Sequence, residues 1–185
     1  MVGSGLVGFE LGRSSTESAH GSRTPGLAAT PTPAGRLVVA STVSLLPNSS
    51  DFPGVYVASG QSVSPIVGIP GGSETLQGVN GNALSAYVDV AIYPTIAGAQ
   101  ERYEDVIASF GNQPRLQLVR RYGDEAQLNG RPPTSSVAQL ILQWRDRNVV
   151  AGVTVYDNSG SVSSQAMTTA LYAIADLFSA RIAAA

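Results

Sequence analysis

Two runs of alternating side chains near the C-terminal end constrain this chain more than any other feature. Ala138, Leu140, Leu142 and Trp144 alternate with Gln139, Ile141, Gln143 and Arg145; Val149, Ala151, Val153 and Val155 alternate with Val150, Gly152, Thr154 and Tyr156. Successive side chains of a strand point to opposite faces, so a period of two sets one apolar row against a core. Asp146-Arg147-Asn148 turns the chain between the runs, which makes the pair a β-hairpin. A lone hairpin is marginal in water, so the rest of the chain must supply strands or helices to cover it.

Several segments qualify. Leu84, Ala86, Val88, Val90 and Ile92 alternate with Ser85, Tyr87, Asp89 and Ala91, as in a half-buried strand. Pro94 ends it, and Thr95 is placed to cap a helix whose apolar stripe is Ile96, Ala99, Tyr103, Val106, Ile107 and Phe110. Gly111 and Pro114 stop that helix. A last helix runs from about Ser163 to Ala184 on the stripe Met167, Ala170, Leu171, Ile174, Leu177, Phe178 and Ile182, with Ser161 or Ser163 as its cap. Residues 37–46 alternate with small or apolar side chains on both faces and read as a buried strand. Val55-Tyr56-Val57 and Leu116–Arg121 read as short strands. Tyr122–Ala126 reads as a turn, and Asn129–Pro133 as a cluster of breakers. The expected fold is α+β: a mainly antiparallel sheet with a C-terminal hairpin and two amphipathic helices, like an α/β/α sandwich.

The domain is expected over 36–185, preceded by an arm and linker over 1–35. The Ser/Thr/Gly-rich stretch 13–35 ends in Thr30-Pro31-Thr32-Pro33, a composition suited to a semi-rigid spacer rather than a core. The first residues are apolar and Gly-rich, without the basic start of a signal peptide. They suit the end of a hydrophobic anchor, or a segment that packs on a partner. A second unusual stretch is 59–82, with Gly60, Pro65, Gly68, Pro70, Gly71, Gly72, Gly78 and Gly81, which reads as a long loop with too many breakers for a central strand. It offers a contact surface or an idle surface loop. The partner-contacting side chains expected from these two regions are Leu6, Val7 and Phe9, then Ile66, Val67 and Ile69. Trp144 joins them as a residue that either caps the core or anchors a partner.

Chemistry is limited by what the chain lacks. There is no cysteine, every basic residue is arginine, and the one histidine, His20, falls in the linker. No Ser-His-Asp set, thiol nucleophile, lysine P-loop or multi-His metal site can be drawn in the folded part. Gly3-Ser4-Gly5-Leu6-Val7-Gly8 matches G-x-G-x-x-G but opens no helix after a strand. Asp157-Asn158-Ser159-Gly160 has too few oxygens for calcium. Asp124 and Glu125 are paired carboxylates in a turn, more often solvated than catalytic, and Asp89 gains interest only if it is buried. Charged residues are 13% and the net charge is −2, which is no surface for phosphates. No catalytic residue, cofactor or metal is expected, and no nucleic acid.

Over residues 85–185 the order of elements resembles small extracytoplasmic domains of bacterial lipoproteins and anchored accessory proteins, some of them PsbP/Mog1-like. The matching residues are Gly123-Asp124-Glu125-Ala126, Leu142–Val150 and Ser179–Ala185. The resemblance implies a non-catalytic domain outside the cytoplasm. The expected function is binding of a protein partner, with a membrane tether through the N-terminal segment. The alternatives are a structural subunit of a self-assembling or membrane-associated structure, and an enzyme with an unfamiliar carboxylate site.

Overall fold

The hairpin sits at the middle of the molecule. The structure, a computed structural model, describes residues 35–63, 68–131, 138–157 and 159–185, all within one compact unit, Thr32–Ala185. In chain order the elements are α1 (Thr42–Leu45), a 3-10 turn (Ser49–Asp51), β1 (Tyr56–Val63), β2 (Gly71–Gly78), β3 (Leu84–Ile92), α2 (Ile96–Ser109), β4 (Arg115–Leu116), β5 (Glu125–Arg131), β6 (Ala138–Asp146), β7 (Val149–Asp157) and α3 (Ser164–Ala184). They form one seven-stranded sheet in the order β1-β2-β3-β7-β6-β5-β4. Every neighbouring pair is antiparallel. The α+β class and antiparallel sheet expected from the sequence are observed.

One helix lies on each face. The odd-numbered residues of β7 and the even-numbered residues of β3 and β6 face α3, where Val88, Leu142, Trp144, Val153, Leu171 and Phe178 are all at 0% exposure. Burying side chains of this size is worth about 1.5–3 kcal/mol each, so this layer carries most of the stability. Ser163 caps α3 by accepting from the Ala166 amide at 3.2 Å, and Thr95 caps α2 by accepting from the Gly98 amide at 3.0 Å. The α2 layer is thinner: of the stripe expected on that helix only Ala99 and Tyr103 are buried, packed with Tyr93 and Val150.

Three segments differ from the sequence reading. Residues 37–46 are not a strand. Their buried residues, Val38, Thr42, Leu45 and Leu46, follow helical spacing, while Val39 is 86% exposed. This segment packs instead against α3, β2 and β3, where Val38, Leu45 and Leu46 join the core. Its ladder partner is replaced by a side chain: Asn148 Oδ1 accepts from the Val38 amide at 2.7 Å, and Asn148 Nδ2 donates to the Val38 and Tyr93 carbonyls.

The stretch 59–82 is not one loop, since β1 and β2 form a hairpin there at the sheet's edge. Two of its glycines, Gly72 and Gly78, mark close approaches rather than breaks: a Cβ at Gly72 would stand 3.2 Å from Leu46 Cδ1. Residues 125–131 likewise form β5 rather than a turn and a breaker cluster. Gly130 lets the Leu116 side chain cross the strand, with Leu116 Cδ1 2.6 Å from where a Cβ would stand. The strand expected over 116–121 shrinks to β4.

Candidate functional site: the polar face of the sheet

Alternation on the central strands sends Ser85, Tyr87, Asp89 and Ala91 of β3 to the side opposite α3, with Gly152 and Thr154 of β7 and Ile141 and Gln143 of β6 beside them. The helix on that side, α2, packs mainly against β6 and β7. Its apolar footprint is at the Val150 end. Beyond it the face carries hydroxyl, amide and phenol groups, and Tyr87 is 37% exposed.

At the centre of this face one row of the ladder reads Asp89, Gly152, Gln143. The two long side chains lean over the glycine from either side. A Cβ at position 152 would stand 2.5 Å from Asp89 Oδ1 and closer still to the Gln143 amide, so only glycine permits this arrangement. Gln143 donates a side-chain hydrogen bond to Asp89. Its own carbonyl oxygen, Oε1, is buried without a partner, and the residue as a whole is 7% exposed. An orphaned buried acceptor of this kind costs about 1–3 kcal/mol.

Asp89 is costly as well. Burial raises its carboxyl from the ordinary range to about 6, against the opposing pull of the Gln143 hydrogen bond and the Arg102 guanidinium on α2. An asparagine of the same shape would fit here without the burial cost of a carboxylate. A partly buried acid and an unpaired amide oxygen, side by side on a polar sheet face where Tyr87 stays exposed, have the character of a binding site, since functional sites concentrate such costs.

The other carboxylates are already occupied. Asp124 Oδ2 accepts from Arg145 Nη1 at 2.7 Å and from the Arg147 amide at 2.9 Å, and Glu125 Oε1 accepts from Arg145 Nη2 at 3.0 Å. They hold the turn end of the hairpin to the start of β5. Tyr122 lies on the opposite face from Asp89, between Trp144 and Tyr172. Its hydroxyl donates to Asp176 Oδ1 at 2.7 Å, and Asp176 also pairs with Arg120. Asp89, Asp124, Glu125 and Tyr122 therefore do not line a common cleft. The Asp157 carboxylate accepts from the Ser159 hydroxyl and from the Ser159 and Val162 amides. The Ser159 hydrogen bond, followed by the backbone ones, holds it below the usual range. No group of three or more His, Cys, Asp or Glu suited to a metal occurs among the described residues. A separate hollow of about 340 Å³ lies by the start of α3, with Leu116, Leu140, Val162 and Met167 in its mostly apolar wall.

The residues expected to contact a partner fare differently. Leu6, Val7, Phe9, Ile66 and Val67 lie outside the described residues. Ile69 is partly buried against the small α2 core of Tyr93, Ala99, Tyr103 and Val150. Trp144 is corrected from a candidate anchor to a core residue. It has 0% exposure, its ring meets Phe178 edge-on at 5.3 Å, and Tyr122 closes the other side. Sequence reasoning missed Gly152 and Gln143. The available signal was a glycine inside a β-branched strand, which marks a close approach.

No protein-family model matches the sequence, and no curated protein matches it. Among solved structures the chain is similar to the extracellular domain of PknH from Mycobacterium tuberculosis, at 16% identity and a TM-score of 0.48, over 82% of this chain and 100% of that one. No residue role is carried from that structure to this one. No helix among the described residues is long and apolar enough to cross a membrane.

Proposed function

We propose that this chain is a non-catalytic, extracytoplasmic binding domain, tethered through its N-terminal segment, whose ligand seats on the sheet face beside α2. The observation that carries the binding site is the Asp89–Gln143 pair over Gly152, with an unpaired buried acceptor on a face that its helix covers only at one end. The extracytoplasmic placement, the tether and the PsbP/Mog1-like identity rest on the Thr/Pro spacer and the motifs of residues 85–185. Its non-catalytic nature is supported by the engagement of Asp124, Glu125 and Tyr122 in structural hydrogen bonds.

The alternative of a structural subunit finds an opening in β1, an edge strand with exposed Val57. The register shift between Ala58 and Gly60 kinks that edge, a device that blunts strand addition, so ligand binding stands ahead of assembly.

Two measurements test the reading. Fractionation of host cells should recover the full chain outside the cytoplasm, and deletion of residues 1–35 should release it. Hydroxyl-radical footprinting with a solubilised envelope fraction should protect Tyr87 and Tyr156. Recovery in the cytoplasm would sink the localisation, and unchanged oxidation of both tyrosines would sink the binding face.

A further inference from the structure

We infer that the Asp89–Gln143 recess recognises vicinal hydroxyl groups of a neutral saccharide, with Tyr87 as the surface on which the sugar ring stacks. This rests on the sheet face being the binding face, and deepens that reading by naming the ligand chemistry.

The polar groups set the first requirement. Gln143 Oε1 is an unpaired, buried acceptor, and the Asp89 carboxyl beside it also accepts. A ligand that satisfies both brings two donors close together, as adjacent hydroxyls on a ring do. Ordinary peptide backbone presents one donor per residue and alternates its direction, which matches the pair less well.

Charge sets the second requirement. On β2, β3, β7 and β6, the described residues that share this face include two charged groups, Asp89 and Arg145, and Arg145 is already paired with Asp124 and Glu125. Arg102 of α2 is the cation already acting on it. A cationic ligand would compete with that guanidinium, and an anionic ligand would face the carboxylate. A neutral ligand avoids both costs.

The ring of Tyr87 sets the third. It lies two residues before Asp89 on the same strand and face, about 7 Å along β3, and it is 37% exposed. An exposed aromatic face beside hydroxyl- and amide-bearing side chains such as Thr75 and Thr154, its neighbours across the ladder, is matched by a ligand with an apolar ring face and a polar edge.

The test uses the full chain and named probes: D-glucose, D-galactose, D-mannose, D-arabinose, maltotriose and cellotriose, with N-acetyl-trialanine amide and spermidine as the peptide and cation controls. Saturation-transfer NMR detects binding, and titration gives affinity. At least one saccharide should bind. Tyr87→Ala should weaken it about tenfold, the size of one lost aromatic contact. Asp89→Asn should weaken it severalfold while the protein remains folded by circular dichroism. Binding of none of the saccharides at concentrations up to about 50 mM, a range chosen for weak millimolar ligands, would overturn the inference. So would preference for the peptide or spermidine, or saccharide binding that both variants leave unchanged. If the saccharides fail while envelope material still protects Tyr87 and Tyr156, the saccharide inference falls and the binding face stands.

Discussion

The two faces of the sheet are made by the same strands and do opposite work. On the α3 side the rows from β3 to β6 are apolar except for Asp157 and Asp146 in the two end rows, and the fully buried side chains there interlock with Leu171, Ile174, Phe178 and Ile182. On the α2 side the same strands present Tyr87, Asp89, Gly152, Thr154 and Gln143, and the helix covers only the Val150 end. A strand cannot change one row without leaving the other in place, because the pleat separates them. The chain thus places stability on one face and leaves the other free to hold groups that do not stabilise it.

Substitutions should separate the faces, with the largest effect on the α3 side. Trp144→Ala removes the side chain packed between Tyr122 and Phe178, and should cost about 3–5 kcal/mol in urea unfolding. A loss below about 1 kcal/mol, the size of an ordinary surface change at most, would mean that the α3 face does not carry the fold. Gly152→Ala forces a Cβ against Asp89 and Gln143, and should cost about 1–3 kcal/mol. If the loss comes from that clash alone, Gln143→Ala in the same chain should restore part of it, as a double-mutant cycle would read.

Asp89→Asn should act in the other direction. The folded carboxyl titrates at about 6, against an ordinary 3.8, so the unfolded chain releases this proton first as pH rises. Stability contributed by the site is therefore fully present below about pH 4 and is lost as pH climbs through 6. The asparagine variant escapes that loss. It should match the parent at pH 3.5 and exceed it by up to about 3 kcal/mol at pH 7.5, following the value of a pKa shift of this size. Equal stability at both pH values would show that Asp89 is well solvated and remove it as a costly group. The smallest effect belongs to Tyr87→Ala, which should change stability by less than about 0.5 kcal/mol and be felt in ligand affinity alone. A large stability loss there would erase the contrast between the faces.

Much of the framework was legible in the sequence. The β6–β7 hairpin, β3, α2 and α3 follow from period, caps and stops: Thr95 and Ser163 cap as expected, and Gly111 takes the left-handed conformation at φ 54° just past α2. Buried Met167, Leu171, Ile174, Phe178 and Ile182 are the stripe read from spacing. What failed had a common cause. Apolar alternation over 37–46 suits a strand, but the burial of Val38, Leu45 and Leu46 is set by α3 and the strands they cover. Glycines in β2 and β5 look like breaks, yet they make room for Leu46 and Leu116. Both are facts about neighbours distant in sequence, and local pattern does not carry them.

The same division holds for the site. Asp89 is visible as an acid in mid-strand and Gly152 as a glycine in a β-branched run, but nothing local relates positions 63 residues apart. Their pairing exists because β3 and β7 meet in one register, and the recess exists because Gln143 arrives from the other side of the same strand. By itself the sequence determined which residues form the hairpin and helices, because those depend on periodicity and capping within one segment. Only the tertiary structure decided which face is covered and which polar groups meet, because both depend on strand order and on which edges were left to pair.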